Sequence, residues 1–85
     1  MDYGKYIIIS SMGGIPCPIM FSCLLSHNEV AQGSKVISAG FFEVFINENK
    51  EIEVLAFGKS QTLKIGSREE DKELLKRVLV REDEY

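Results

Sequence analysis

The sequence predicts an α+β fold: an antiparallel meander of about five strands, a short helical turn after strand 2, and one C-terminal amphipathic helix packed on the sheet. Three observations predict it. Short runs rich in β-branched and aromatic residues are punctuated by glycine, proline and asparagine. A helix-start signal interrupts those runs once, near His27. Only the segment from Ser67 onward carries apolar residues at helical spacing.

Lys5 to Ser11 (KYIIISS) is too short for a helix and reads as a strand covered on both faces. Gly13-Gly14 accept positive φ at low cost and mark a turn. Pro16 and Pro18 cannot donate to a ladder, so the next stretch begins a strand or lies at a sheet edge, with Ile19 to Leu25 as the second strand. Ser26 followed by Glu29 is a capping box, and Gly33 is a stop, which predicts one helical turn holding a partly exposed His27. Lys35 to Asn47 is the third strand, with Gly40 as a point of bending. Asn47 to Lys50 turns the chain, and Glu51 to Phe57 is the fourth strand. Gly58-Lys59-Ser60 reads as a hairpin turn, and Gln61 to Ile65 alternates as a half-buried fifth strand should.

Ser67 and Glu70 form a second capping box, in which the hydroxyl takes the Glu70 amide and the carboxylate reaches back. On this reading Ser67→Ala costs about 1 kcal/mol. Leu74, Leu75, Val78 and Leu79 make the stripe that packs on the sheet. A helix start can also hold an anion. Here Glu69, Glu70 and Asp71 already answer the dipole and repel a phosphate, so capping is the better account. An anion would be held more credibly by Arg68 with Lys59 or Lys64. Residues 1–80 form a single domain, and Arg81 to Tyr85 read as a frayed acidic tail.

The net charge is −3, with Lys5 and Lys35 balancing Asp2 and Glu29 in the first forty residues, so the whole excess lies after them. No cluster of Lys and Arg forms a track for a nucleic-acid backbone, and direct DNA or RNA binding is not expected. No apolar run is long enough to span a bilayer, and the start lacks the form of a secretory signal, which points to a soluble cytoplasmic protein. On an extended segment Cys17 and Cys23 stand roughly 20 Å apart, beyond disulfide reach. Cys17, Cys23 and His27 lack both the usual zinc spacing and a fourth ligand, so no metal is expected. No G-x-S-x-G or P-loop spacing is present; the expectation is a non-enzymatic protein without a cofactor.

The third strand is the most informative element. Phe41, Glu43 and Phe45 point to one face, and Phe42, Val44 and Ile46 to the other. The C-terminal helix can cover one face. The other, where Leu55 and Phe57 can join Phe41 and Phe45, has no evident cover within the chain. Either the sheet closes into a barrel, or a second copy buries that face or an open edge. The second is preferred, and predicts a homo-oligomer.

Taken together, "PIMFSCLLSH", "VISAGFFEV" and "GKSQTLKIGSREEDKELLKRVL" resemble a group of short phage and prophage proteins of unassigned activity, over roughly residues 5–80. The most specific elements are Ser38-Ala39-Gly40-Phe41, Gly58-Lys59-Ser60, and Ser67-Arg68 with Glu70-Asp71. The resemblance implies a viral accessory protein of the kind that counters host defence. One mode is an oligomer that sequesters a nucleotide-like signalling ligand at subunit interfaces. Arg68, Lys59, Ser60 or Ser38 would then reach phosphates, and Phe41 or Tyr6 would stack a base. The alternatives are an inhibitor of a host defence protein, acting through an apolar strand edge or the acidic helix face, and a structural phage component.

Overall fold

The computed structural model describes residues 3–83, and over them the fold is α+β. Strands β1 (Tyr3–Ser10), β2 (Pro16–Phe21), β3 (Val36–Ile46) and β4 (Ile52–Phe57) form a four-stranded antiparallel sheet, and β5 (Lys59–Ser60) with β6 (Ile65–Gly66) forms a small second one. Helix α1 (His27–Ala31) follows β2, and helix α2 (Asp71–Asp83) ends the described chain. A 3-10 turn at Met12–Gly14, with both glycines at positive φ, joins β1 to β2 as the Gly-Gly pair requires.

The strand order is β2-β1-β3-β4, so β1 lies inside the sheet and β3 pairs with it rather than with β2. The reason is chemical. Tyr6, Ile7 and Ile8 are all fully buried and need a neighbour on each side and a cover on each face. Strand β2 contains Pro16 and Pro18, neither of which can donate to a second ladder, and it takes the edge. It also begins earlier than the Ile19 to Leu25 run suggests and ends at Phe21, because Ser22 starts a turn whose carbonyl accepts the Leu25 amide at 3.1 Å.

Alternate side chains of the central strands feed two cores. On one face Tyr6, Ile8, Phe42 and Val54 pack with Leu75 of α2, and Leu74 and Leu79 flank them. Burying a leucine such as Leu75 in this way is worth about 1.5–3 kcal/mol. On the other face Ile7, Phe21 and Ala39 pack under Ala31 of α1, with Leu63 and Ile65 brought in by the second sheet. The sheet stays open, so the barrel alternative is not realised. One region of the second face is left uncovered: Tyr3, Phe45, Leu55 and Phe57 are exposed by 68, 42, 48 and 48%.

Of the stretch Gln61 to Ile65 only Ile65 is in a strand, β6; residues 61–64 form a turn, in contrast to their alternating pattern. The Ser60 hydroxyl accepts the Leu63 amide at 3.1 Å, and the Ser60 carbonyl accepts the Lys64 amide at 2.9 Å. Lys64 closes the loop at φ +58°. Alternation sends Leu63 and Ile65 inward whether the backbone is strand or turn, so a period of two does not distinguish them. Likewise Gly58-Lys59-Ser60 is no hairpin turn: Gly58 bends the chain at φ +75°, and Lys59-Ser60 is β5 itself. The helical backbone of α2 runs through Asp83, past the start expected for an acidic tail at Arg81; residues 84–85 lie outside the described residues.

Candidate functional site

Tyr6, Ser38 and Arg68, three of the residues expected to touch a ligand, meet around Asp71, which the sequence places only among the acidic residues of the helix start. The Tyr6 hydroxyl donates to Asp71 Oδ2 at 2.6 Å, and the Arg68 backbone N–H donates to the same oxygen at 2.8 Å. Arg68 Nε and Nη2 both approach Oδ1, at 3.0 and 2.9 Å. Tyr6, Ser38 and Asp71 have no exposed surface. Burial by itself pushes the Asp71 carboxyl up, but the hydrogen bonds from Tyr6 and from the Arg68 amide and guanidinium, with the Ser38 hydroxyl dipole nearby, outweigh it and hold it below the usual carboxylate range. Burial, then the bond to Asp71 and its charge, pushes the Tyr6 hydroxyl well above the ordinary tyrosine value, against smaller opposing effects of Ser67 and Arg68. Ser38 Oγ sits close enough to help stabilise that charge, yet it completes no hydrogen bond of its own.

This cluster also starts α2. Asp71 reaches back to the Arg68 amide while its own amide donates to the Arg68 carbonyl at 3.1 Å. The reciprocal capping bond therefore runs from Asp71 to Arg68, one residue later than the Ser67–Glu70 pair expected from the sequence. The change has a reason: Asp71 at this register can also receive Tyr6 from β1 and tie the helix to the sheet. The Nε and Nη2 of Arg68 are thereby engaged by Asp71, although about a third of the side chain remains exposed.

Phe41 and Lys59 belong to a second place. A small cavity of about 110 Å³ is lined by Lys5, Ser26, His27, Phe41, Lys59, Gln61 and Thr62. Strand β1 supplies Lys5, whose neighbour across the ladder is Phe41 of β3. Lys5 Nζ donates to the Leu25 carbonyl at 2.9 Å. Ser26 caps α1 by accepting the Glu29 amide at 3.1 Å, as its capping box predicts. His27 is not a partly exposed turn residue. It is buried edge-on between Phe21 and Phe41, and its Nε2–H donates to the Gly40 carbonyl at 2.8 Å. Phe41 in turn stacks on Phe57, with ring centroids 6.1 Å apart. The lining holds two lysines and no carboxylate.

Ser60 is fully buried and caps its turn through the Leu63 amide, so its hydroxyl faces the fold. A larger open groove of about 630 Å³ runs between the β2 edge at Pro16 and Pro18 and the α2 side chains Glu73, Leu74, Arg77 and Val78. Cys17 and Cys23 are unpaired. Among the described residues no helix is long and apolar enough to cross a membrane. Sequence reasoning thus brought out Phe41 and Lys59, which the structure places together, and missed Lys5 and Asp71. For Lys5 the available signal was its place opposite Phe41 in a β1–β3 pairing. For Asp71 the spacing of three from Arg68 was a local signal for the capping bond, but none existed for its bond to Tyr6, which lies at the other end of the chain.

No protein family matches the chain, and no curated protein or solved structure is similar enough to it to count as a match.

Proposed function

We propose that the chain is a non-enzymatic binding protein that works as a homo-oligomer and takes a nucleotide-like, phosphate-bearing ligand where copies meet. One observation carries the reading: an uncovered apolar sheet surface, Tyr3, Phe45, Leu55 and Phe57, adjoins a lysine-lined cavity through the stacked Phe41–Phe57 pair. At about 110 Å³ the cavity is well below the roughly 300–1,000 Å³ of a site that encloses a small molecule. A second copy on the apolar surface would supply the missing wall. The groups that could do chemistry are engaged in holding the fold, His27 on the Gly40 carbonyl and Asp71 on Tyr6 and Arg68, which supports binding over catalysis. The resemblance to small phage proteins supplies the setting, a viral factor that withdraws a host nucleotide signal.

The test is particle mass by light scattering together with thermal shifts against a panel of nucleotides that includes both 5′-monophosphates and cyclic forms. An oligomer whose melting temperature rises by several degrees with one of them is expected, since ligand at about 100 times its Kd adds about 2.7 kcal/mol. A single-chain mass at every concentration, or no shift with any nucleotide, would defeat the reading. The open edge of β4 favours one second reading, inhibition of a host protein by strand addition. Co-purification of a host protein that Ala56→Pro abolishes would identify it.

A further inference from the structure

We infer that the cavity between Lys5 and Lys59 seats the ligand's phosphate and that the Phe41–Phe57 pair carries its ring, which makes the ligand a phosphomonoester of nucleoside-monophosphate type. The inference deepens the function proposed above and rests on its phosphate-bearing ligand. Charge selects the anion. Lys5 Nζ gives one of its three protons to the Leu25 carbonyl and keeps two, and Lys59 has no partner among the described residues. A phosphomonoester carries close to two negative charges near neutral pH, and two lysines with no lining carboxylate balance it. The Gln61 amide and the Thr62 hydroxyl add neutral donors at the same mouth.

Size then separates the two parts of the ligand. A volume of about 110 Å³ is too small for a whole nucleotide, so with the phosphoryl group against the two lysines the base lies outside, against the nearest aromatic surface. That surface is Phe57, half exposed and stacked on Phe41, which itself lines the cavity. Stacking on such a face is tolerant of base identity. The frame is rigid where it needs to be: Lys5 sits on β1 in the middle of the sheet, and Phe41 is braced by His27, which is pinned to the Gly40 carbonyl. Arg68, the anion hook that the sequence favours, cannot take this part, because its Nε and Nη2 already lie on Asp71.

The test titrates the full chain calorimetrically with adenosine 5′-monophosphate, inorganic phosphate and adenosine, and repeats it for Lys59→Gln and Lys5→Gln. The nucleotide should bind most tightly, phosphate alone more weakly, and adenosine least. Each lysine substitution should weaken the first two by roughly tenfold or more, the loss expected from one charge-assisted hydrogen bond. Lys59 is exposed, so Lys59→Gln should keep the unliganded melting temperature and separates loss of binding from loss of fold. Nucleotide affinity unchanged in both variants, or no binding of either phosphate-bearing probe, would overturn the inference. Light scattering on the same samples keeps the two proposals apart: an oligomer that another nucleotide stabilises but that ignores adenosine 5′-monophosphate and phosphate refutes only the lysine site, and a single-chain species that binds phosphate through both lysines refutes only the oligomer.

Discussion

Asp71 is a fully buried carboxylate whose charge is tolerated because donors from two distant parts of the chain converge on it: the Tyr6 hydroxyl from β1, and the amide and guanidinium of Arg68. Asp71→Asn keeps the shape but removes the charge and faces one amide N–H toward donors. It should cost about 2–3 kcal/mol in urea unfolding, less than the full penalty of a broken buried pair because Arg68 is about one-third exposed to water. Tyr6→Phe should cost about 1.5–3 kcal/mol on its own and clearly less in the Asp71→Asn background, since the two share one bond. The pH dependence follows from the two shifts. Asp71 is held below the usual carboxylate range, so its contribution is present above about pH 4 and is lost as pH falls through the native value. Tyr6 is held above the ordinary tyrosine value, so its contribution is present below about pH 10 and is lost as pH rises beyond it. The urea midpoint should therefore be flat between these limits and fall on both sides, and Asp71→Asn should flatten the acid side. An unaltered acid limb in that variant would show that Asp71 is not the group responsible.

At the scale of elements, the joint between β3, β4 and the start of α2 depends on the absence of a side chain. A Cβ at Gly40 would lie 2.5 Å from the Phe57 carbonyl oxygen, 3.2 Å from Ser67 Cβ and 3.3 Å from the Tyr6 ring. The nearest of these is backbone and cannot swing away. Gly40→Ala should cost on the order of 1–3 kcal/mol by overpacking, and it should weaken the Tyr6–Asp71 bond behind it. A melting temperature unchanged from the parent protein would refute that reading of the joint. Ser60→Ala, which strips the turn of the acceptor for Leu63, should cost about 1 kcal/mol, and Ser67→Ala should cost less, because Ser67 is not the capping residue of α2. These cases also mark what can be read from the chain. Strands β1, β3 and β4, the edge position of β2, the Ser26 cap and the Leu74–Leu79 stripe all follow from local pattern and proline chemistry. The turn at 61–64 does not, because alternation describes which side chains go inward and not the backbone that takes them there. Nor does the choice of Asp71 over Ser67, which is made by Tyr6 from the far end of the chain. Polar residue types at Tyr6, Ser38 and Arg68 were legible as a group, but only the fold decides that they face one another and not a ligand.

For the molecule as a whole, the question is how much association the uncovered surface can support. Tyr3, Phe45, Leu55 and Phe57, each about half exposed, together present on the order of 400 Å². A stable standard interface buries about 800 Å² on each partner. The patch is thus half an interface, and the rest must come from its surroundings, for which the open β4 edge beside it offers unpaired backbone groups. Association of this kind should be reversible and concentration-dependent, unlike that of an obligate dimer whose separated halves unfold, because both cores within one chain are already closed. Leu55→Lys is the substitution that isolates the effect. Leu55 lies directly across from Glu43, so a lysine there gains an opposite charge on its own sheet and leaves the single chain stable, while it places a charge in the centre of the apolar surface. Sedimentation velocity over a range of concentrations should show the parent chain shifting to a larger species as concentration rises, and Leu55→Lys remaining at single-chain mass with an unchanged melting temperature. Identical association by both proteins would place the contact elsewhere on the molecule. A parent chain that stays single at every concentration would refute association through this surface and with it the oligomer proposed above.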